Sequence, residues 1–485
     1  MTEPRARPMT AALWSGAEAL FKTPLQLAVS IFMARTLSPA EFGLLALALV
    51  LSGIAIAIAD GGFSQALIQG DTPTEEEKSS VFTVNLLVSL VLAGGIVAGA
   101  GAYARYFGQP MLESLSWAMA ANVVITSLGA TQTALLARNL DFRLLARIGA
   151  LAAAVSGLAA VVAALLGFGV WSLVVNVLTS SVLTSGMLWR LAGWRPRARP
   201  RIGALRRLFG FGSYLLLSSL LTAAYVRLSA ALIGKLYGIH EVGHYGRAEH
   251  SQQMATQIMA NAANRVALPV FAAAKDDPQQ QRGSMVRGCN VLQLVNVPLM
   301  LCMAFLAEPL IVTLFGMPWK PAAAYLQILC LAGLLWPLQV VNTSLIKAQG
   351  RSDVFFWMEL VKRSVALVAI VVAAQFGIVV LAWAQVGIAL FTLGINGSAG
   401  GRAVGYGVLR QLADMWPYLL MSAAMLGAMW LAQSQMPPIP WLRLALLSGL
   451  GAAVYLGLCL IARPRHFGWL LGEIQSRLPQ RFRRA

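Results

Sequence analysis

Long apolar segments alternate with short polar breaks along most of the chain. A helix that spans a bilayer needs roughly 20 mostly apolar residues, and about fourteen segments meet that requirement. These segments lie near 11–34, 42–60, 81–104, 112–137, 144–166, 169–190, 209–233, 245–272, 287–315, 322–346, 355–375, 377–397, 416–434 and 441–462. The pattern therefore predicts an all-α integral membrane protein with about 14 transmembrane helices.

Composition agrees with this prediction. Of the 485 residues, 58% are hydrophobic and only 12% are charged, which is too little charge to cover a soluble core of this size. The cysteines lie inside apolar runs without CxxC spacing, so we predict neither a disulfide framework nor a zinc site. No Walker sequence and no glycine fingerprint after a strand occur, and we predict no cofactor and no nucleotide-driven step.

The net charge of +18 would suggest nucleic acid in a soluble protein, but its distribution favours a membrane topology instead. The densest basic run is Trp189–Gly212, which holds Arg190, Arg195, Arg197, Arg199, Arg201, Arg206 and Arg207. Further cations recur in alternate connections, at Arg138, Arg143, Arg147, Lys275, Arg282, Arg287, Lys347, Arg351, Arg402 and Arg410 and in the tail after Pro464. Positive residues stay on the cytoplasmic side, so we predict that both termini are cytoplasmic. The tail is predicted either to lie on anionic lipid or to be solvated.

An internal repeat appears when the chain is aligned with itself at an offset of 200 residues. Glu41-Phe42-Gly43 falls over Glu241-Val242-Gly243, and Ala34–Leu37 falls over Gly234–Tyr237. Six helices per repeat predict two lobes related by an axis along the membrane normal. The predicted division is an N-lobe at 1–194, a basic connector at 195–208, a C-lobe at 209–397, two added helices at 398–463 and a basic tail at 464–485.

Polar residues inside predicted spans are candidate functional residues because charge is costly in a bilayer. In the first span, Glu18 and Lys22 share one face, which predicts either an ion pair or a cavity lining that meets an anion. In the eighth span a polar stripe has 3,4,4,3 spacing with Arg265 beside it; it consists of His250, Gln253, Gln257, Asn261 and Asn264. Amides bind sugar hydroxyls and Arg binds phosphate, so the stripe suits a glycan phosphate. Amide bonding between helices is the alternative.

Two other sets of polar residues lie within predicted spans. Tyr225 and Arg227 add polarity to the seventh span. Glu359, Lys362 and Arg363 do so in the eleventh, where the two cations either act in the cavity or extend toward the cytoplasm.

His240-Glu241-Val242-Gly243-His244 matches the HExxH pattern of zinc hydrolases. We consider this zinc function a remote alternative, because Glu241-Val242-Gly243 matches a segment without histidines and the motif lies at a predicted loop-to-helix junction.

Several segments together resemble the Wzx-type polysaccharide transporters, whose superfamily includes the MATE exporters and the lipid II flippase MurJ. The segments are Ala34–Gly43, Ala59–Gln69 followed by Glu75–Glu77 and Phe82–Asn85, Val242–Ala248, and Gly316–Trp319. The resemblance covers roughly residues 10–400. It implies two six-helix lobes around a central cavity and alternating access.

The resemblance further implies a flippase for a polyprenyl-diphosphate-linked oligosaccharide of lipopolysaccharide or exopolysaccharide synthesis in the bacterial inner membrane. Lys22, Arg227 and Arg265 would bind the diphosphate. The acidic residue expected in the middle of the seventh span is absent, with Ser229 and Ala230 there, so Glu18 and Asp60 are the candidates for ion coupling. Membrane lipids, a polysaccharide polymerase and glycosyltransferases are the expected partners, with no nucleic acid, no metal and no enzymatic activity. A MATE-like small-molecule antiporter is the alternative function.

Overall fold

The structure is a computed structural model that describes residues 23–69, 72–273, 277–349, 351–437 and 439–462. Long α-helices occupy most of this part of the chain, and it contains no β-strand. The helices are α1 (23–36), α2 (Pro39–Asp60), α3 (Phe63–Gln69), α4 (Glu75–Phe107), α5 (Met111–Arg138), α6 (Phe142–Leu165), α7 (Val170–Leu191), α8 (Ile202–Leu236), α9 (Ile239–Ala273), α10 (Pro278–Phe305), α11 (Ala307–Phe315), α12 (Ala322–Gly333), α13 (Trp336–Ala348), α14 (Ser352–Ala373), α15 (Ile378–Asn396), α16 (Val408–Ala432) and α17 (Pro440–Ala462).

Helix starts are fixed by short polar sequences that satisfy the first backbone N–H groups. At α4 the Glu77 carboxylate accepts from the Thr74 backbone N–H at 2.8 Å, while the Thr74 hydroxyl accepts from the Glu77 N–H at 3.2 Å. At α2 the Glu41 carboxylate accepts from the Ser38 N–H at 2.7 Å, and Pro39 occupies the first helical position. Such caps contribute about 1 kcal/mol each and set where the chain enters its helix.

Eleven helical segments of the described chain are long and apolar enough to cross a membrane. The all-α integral membrane fold is therefore confirmed, and the chain is a multi-pass membrane protein. The count of fourteen stays a prediction: the span near 11–34 falls partly outside the described residues, α9 carries the long polar stripe, and α14 holds the charged residues Glu359, Lys362 and Arg363. The predicted span at 287–315 is interrupted at Leu306, which ends α10 and precedes α11.

The chain separates into two compact units, one formed by residues 1–246 and 366–375 and the other by 247–365 and 376–485. In the first unit α4 packs on α5, α6 packs on α7, and α2 packs on α5 and α8. In the second unit α16 packs on α10 and α17. The lobe boundaries from the sequence remain a prediction.

Helices α16 and α17 are fastened to the second unit by buried hydroxyl groups. The Tyr418 hydroxyl lies 2.9 Å from Asn290 Oδ1, and the Tyr455 hydroxyl donates to the Leu294 carbonyl at 2.8 Å. A buried tyrosine hydroxyl needs such a partner. The helices without a counterpart in the repeat are thus integral to this unit.

The first turns of α2 and α9 cross inside the first unit with almost no separation. A methyl group on Gly43 would lie 2.0 Å from the Ile239 carbonyl oxygen, and one on Gly243 would lie 2.0 Å from the Pro39 oxygen. Only glycine permits two backbones to approach so closely. The contact is reciprocal, because Pro39 and Gly43 correspond to Ile239 and Gly243 at the 200-residue offset.

Candidate substrate-binding site

Arg227 places a positive charge near the middle of the apolar span Leu216–Leu236. The side chain is half-buried and lies against α2, where a methyl group on Gly53 would come within 2.9 Å of Arg227 Nε. The absence of a side chain at Gly53 therefore creates the space in which the guanidinium packs. A half-buried guanidinium at this depth requires polar surroundings or an anion.

Asp60 ends α2 and is half-buried. Its carboxylate accepts a hydrogen bond from the Ser64 hydroxyl. Gly61 and Gly62 follow with φ values of 58° and 73° and turn the chain into α3, a conformation that glycine adopts without strain. The geometry accounts for the Asp-Gly-Gly sequence as a turn, and ion coupling at Asp60 stays a prediction.

The polar stripe of the eighth span lies on a continuous helix, α9. Its members therefore share one helical face, as their spacing predicts. His250, Gln253 and Gln257 are exposed, whereas Arg247 and Thr256, which flank the stripe on the same helix, are buried. The exposed side chains can donate and accept hydrogen bonds with a hydroxyl-rich ligand.

The remaining predicted ligands cannot be placed by side chain. Glu18 and Lys22 lie outside the described residues. Asn261, Asn264 and Arg265 belong to α9 by backbone, and their side chains lie outside the described part. Their predicted contacts with substrate stay predictions.

The polar residues predicted in the eleventh span, Glu359, Lys362 and Arg363, form an ionic cluster in the second unit. Lys362 on α14 is 6% exposed; its ammonium donates to the Glu359 carboxylate and to Asn396 Oδ1, the latter at 2.9 Å. Arg363 Nε lies 3.6 Å from the same carboxylate. The Lys362 ammonium is therefore held inside the second unit and does not extend into solvent. Asn396 is 34 residues from Lys362 along the chain, and no local pattern joins the two.

Arg247 is a second buried cation that sequence reasoning did not identify. It is 5% exposed, and its guanidinium carbon lies 4.6 Å from the ring centre of Phe315 and 4.9 Å from that of Trp319. Cation–π attraction of this kind is stronger when the cation is desolvated. Both Arg247 and Trp319 belong to segments that carry the family resemblance, and their contact lies within the second unit.

The HExxH segment lies at the start of a helix, in agreement with the predicted loop-to-helix junction, but both histidines are helical. Because α9 begins at Ile239, His240 and His244 both belong to its first two turns. His240 is exposed and His244 is buried. Across the part of the chain that the structure describes, no three His, Cys, Asp or Glu side chains are grouped as metal ligands. Between the two histidines, Gly243 forms the crossing with α2.

Residues 32–324 match the family described as polysaccharide biosynthesis protein. The chain is 29% identical over 334 residues to the succinoglycan biosynthesis transport protein ExoT of Rhizobium meliloti (strain 1021), a match that covers 68% of this chain and 67% of that protein. It is 23% identical over 377 residues to the lipopolysaccharide biosynthesis protein WzxC of Escherichia coli (strain K12), which covers 76% of each chain.

A solved structure of the lipid II flippase MurJ in an inward closed conformation superposes with a TM-score of 0.79. The superposition covers 93% of this chain and 99% of that one, at 13% sequence identity. At such low identity this likeness shows the fold alone.

Proposed function

Because this chain belongs to the polysaccharide biosynthesis protein family, we propose that it is a flippase for a polyprenyl-diphosphate-linked oligosaccharide. The observation that carries the proposal is the similarity to a transport protein of succinoglycan biosynthesis over two thirds of both chains. We place the protein in the bacterial inner membrane with both termini in the cytoplasm. Its work is transport and not catalysis.

The physical task of such a protein is to lower the cost of moving a charged, hydroxyl-rich headgroup through hydrocarbon. An unpaired ion in an apolar medium is unfavourable by many kcal/mol, and every unpaired hydroxyl adds to that cost. Arg227 would offset the diphosphate charge from within the span, with Lys22 and Arg265 in the same role. Arginine suits this task because its planar group forms paired hydrogen bonds with phosphate oxygens.

The exposed face of α9 would replace the water that leaves the sugar hydroxyls. His250, Gln253 and Gln257 carry both donors and acceptors, as do Asn261 and Asn264 further along the same face. We propose that this face binds the glycan and that the protein alternates between inward-open and outward-open states. Glu18 and Asp60 are the proposed ion-coupling residues, and a polymerase and glycosyltransferases are the proposed partners.

Deletion of the gene and complementation by plasmid test the function. The deletion strain should lose its surface or secreted polysaccharide and accumulate the lipid-linked oligosaccharide on the cytoplasmic side, and the wild-type gene should restore export. Unchanged polysaccharide together with increased sensitivity to cationic drugs would refute the flippase and favour a MATE-like antiporter.

Two variants with matched controls test the proposed ligands. Arg227→Ala should lower export roughly tenfold or more, since a charge-assisted hydrogen bond contributes about 1.5 to 3 kcal/mol. The control Arg105→Ala removes an exposed arginine in the last turn of α4 and should leave export unchanged. Gln257→Ala is paired with Gln280→Ala, which removes an exposed amide at the start of α10. Equal export in a variant and its control, at equal protein levels, would refute that residue's role.

A further inference from the structure

The segment that joins α7 to α8 is held against the N-terminal turns of α4. Trp194 Nε1 donates to the Glu75 carboxylate at 2.9 Å, and the Trp194 ring meets the Phe82 ring edge-on with centroids 6.3 Å apart. Both contacts join residues more than a hundred positions apart in sequence. The basic segment is therefore docked at this point.

Backbone hydrogen bonds continue the docking along the segment. The Ala198 N–H donates to the Ser79 hydroxyl at 3.3 Å, and the Arg201 N–H donates to the Ser80 hydroxyl at 2.9 Å. Both serines are fully buried. Because the serine hydroxyls accept hydrogen bonds from backbone N–H groups, they fix the path of the segment independently of its side chains.

This path puts the arginines on one side. Arg195, Arg197, Arg199 and Arg201 are exposed, whereas the residues between the first three of them are partly buried. Such alternation is typical of extended chain, in which successive side chains point to opposite faces. We call these four residues the arginine strip. The four side chains are exposed next to the end of α7 and the start of α4.

Acidic residues compensate only part of the strip's charge. Arg201 lies 3.3 Å from Glu76, and Arg197 interacts electrostatically with Glu75. For Arg195 and Arg199, no ion pair with a carboxylate occurs among the residues that the structure describes. The strip therefore retains positive charge at the membrane surface.

We propose that the arginine strip is a binding site for the phosphate headgroups of anionic phospholipids in the adjoining leaflet. Charge complementarity supports this occupant, and so does position, because basic groups next to the end of a spanning helix lie at headgroup depth. Arginine can also bind a phosphate through two parallel hydrogen bonds. The ordered backbone holds the guanidinium groups in a row, so binding depends on their arrangement as well as their number.

Native mass spectrometry of the detergent-purified full-length protein, titrated with phosphatidylglycerol or phosphatidylcholine, tests the proposal. Phosphatidylglycerol should bind more tightly. Each arginine at a membrane surface strengthens the binding of anionic lipid roughly fivefold. The double substitution Arg195→Gln with Arg199→Gln should therefore weaken phosphatidylglycerol binding roughly 25-fold. The control Arg402→Gln with Arg410→Gln removes the same charge from two other exposed arginines and should leave this binding step unchanged.

A second pair of variants separates an ordered strip from simple net charge. Ser80→Ala removes the acceptor that holds Arg201, and Trp194→Phe removes the indole donor to Glu75; neither alters an arginine. Each should weaken phosphatidylglycerol binding, and circular dichroism at equal protein concentration verifies that the variants are folded. Wild-type binding in both would overturn the proposal, as would equal loss in the two arginine pairs. Displacement of the lipid by an equal concentration of inorganic pyrophosphate would also overturn it, in favour of a site for free phosphate compounds.

Discussion

The crossing of α2 and α9 allows a sharp test of the structure through a single methyl group. In Gly243→Ala the new methyl carbon would lie 2.0 Å from the Pro39 carbonyl oxygen and 2.7 Å from its carbon. The shortest ordinary carbon-to-oxygen contacts are about 3.3 Å, so the helices must separate by about 1.3 Å. Both opposing atoms belong to the backbone, and neither can rotate away as a side chain would.

Two terms of opposite sign set the expected change in the free energy of unfolding. Overpacking a rigid contact costs about 1 to 3 kcal/mol, and we expect the upper end here because backbone must move. Replacing glycine by alanine within a helix stabilises it by about 0.5 to 1 kcal/mol. Gly243→Ala should therefore destabilise the protein by about 2 kcal/mol.

Gly246→Ala is the matched control, because it lies three residues further along the same helix and a methyl group there meets no atom within 4 Å. It gains the same helix propensity without the overpacking. The free energies of unfolding of the two variants should therefore differ by about 3 kcal/mol, which is the cost of the overpacked contact. Titration of the purified protein with a denaturing detergent, followed by tryptophan fluorescence, measures both. The contact does not exist as described if the two variants unfold at the same detergent fraction.

The double variant Gly43→Ala with Gly243→Ala should be destabilised by less than the sum of the two single variants, since one separation of the helices relieves both contacts.

Three further substitutions test buried polar contacts of the second unit, with unfolding measured by the reactivity of its buried cysteines toward a thiol dye. Lys362→Met should destabilise by about 2 kcal/mol, because it leaves the half-buried Glu359 carboxylate with the more distant Arg363 as its partner, and adding Glu359→Gln should restore part of the loss. Arg247→Lys should cost about 1 kcal/mol, since an ammonium cannot stack flat on two aromatic rings. Gln411→Leu should cost about 2 kcal/mol, because its buried amide exchanges hydrogen bonds of 2.8 and 3.2 Å with Asn342. Wild-type stability in any of the three would contradict the contact concerned.

The apolar pattern predicted the fold class and most of the helices, but it placed several helix starts too late. The third predicted span begins at 81, whereas α4 begins at Glu75; the eighth begins at 245, whereas α9 begins at Ile239. A run of apolar residues indicates the part of a helix that lies within the hydrocarbon of the bilayer. The helix itself continues into polar residues wherever a cap satisfies its end, as Thr74 and Glu77 do for α4.

The resemblance to Wzx-type transporters is confirmed by the family match, and it rested on short segments that the structure explains physically. Asp60-Gly61-Gly62 is a turn that needs positive φ at two positions. The contacts of Lys362 and Arg247 could not be predicted, because Asn396 and Trp319 lie on other elements and only tertiary packing brings them near. For a buried cation, the sequence indicates that burying the charge costs free energy, but it does not identify the group that compensates that cost.

The reciprocal glycine contact bears on the internal repeat more directly than sequence identity does. Weak matches at an offset of 200 could arise by chance in a chain of repeated apolar helices. A two-fold axis, however, requires that if one residue contacts a second, their equivalents contact each other in exchanged roles. A methyl group on Gly43 would meet Ile239 and one on Gly243 would meet Pro39, both at 2.0 Å, which satisfies that requirement at the segment that contains the match of Glu41-Phe42-Gly43 with Glu241-Val242-Gly243. The local geometry therefore supports descent of the two helix starts from one repeated unit.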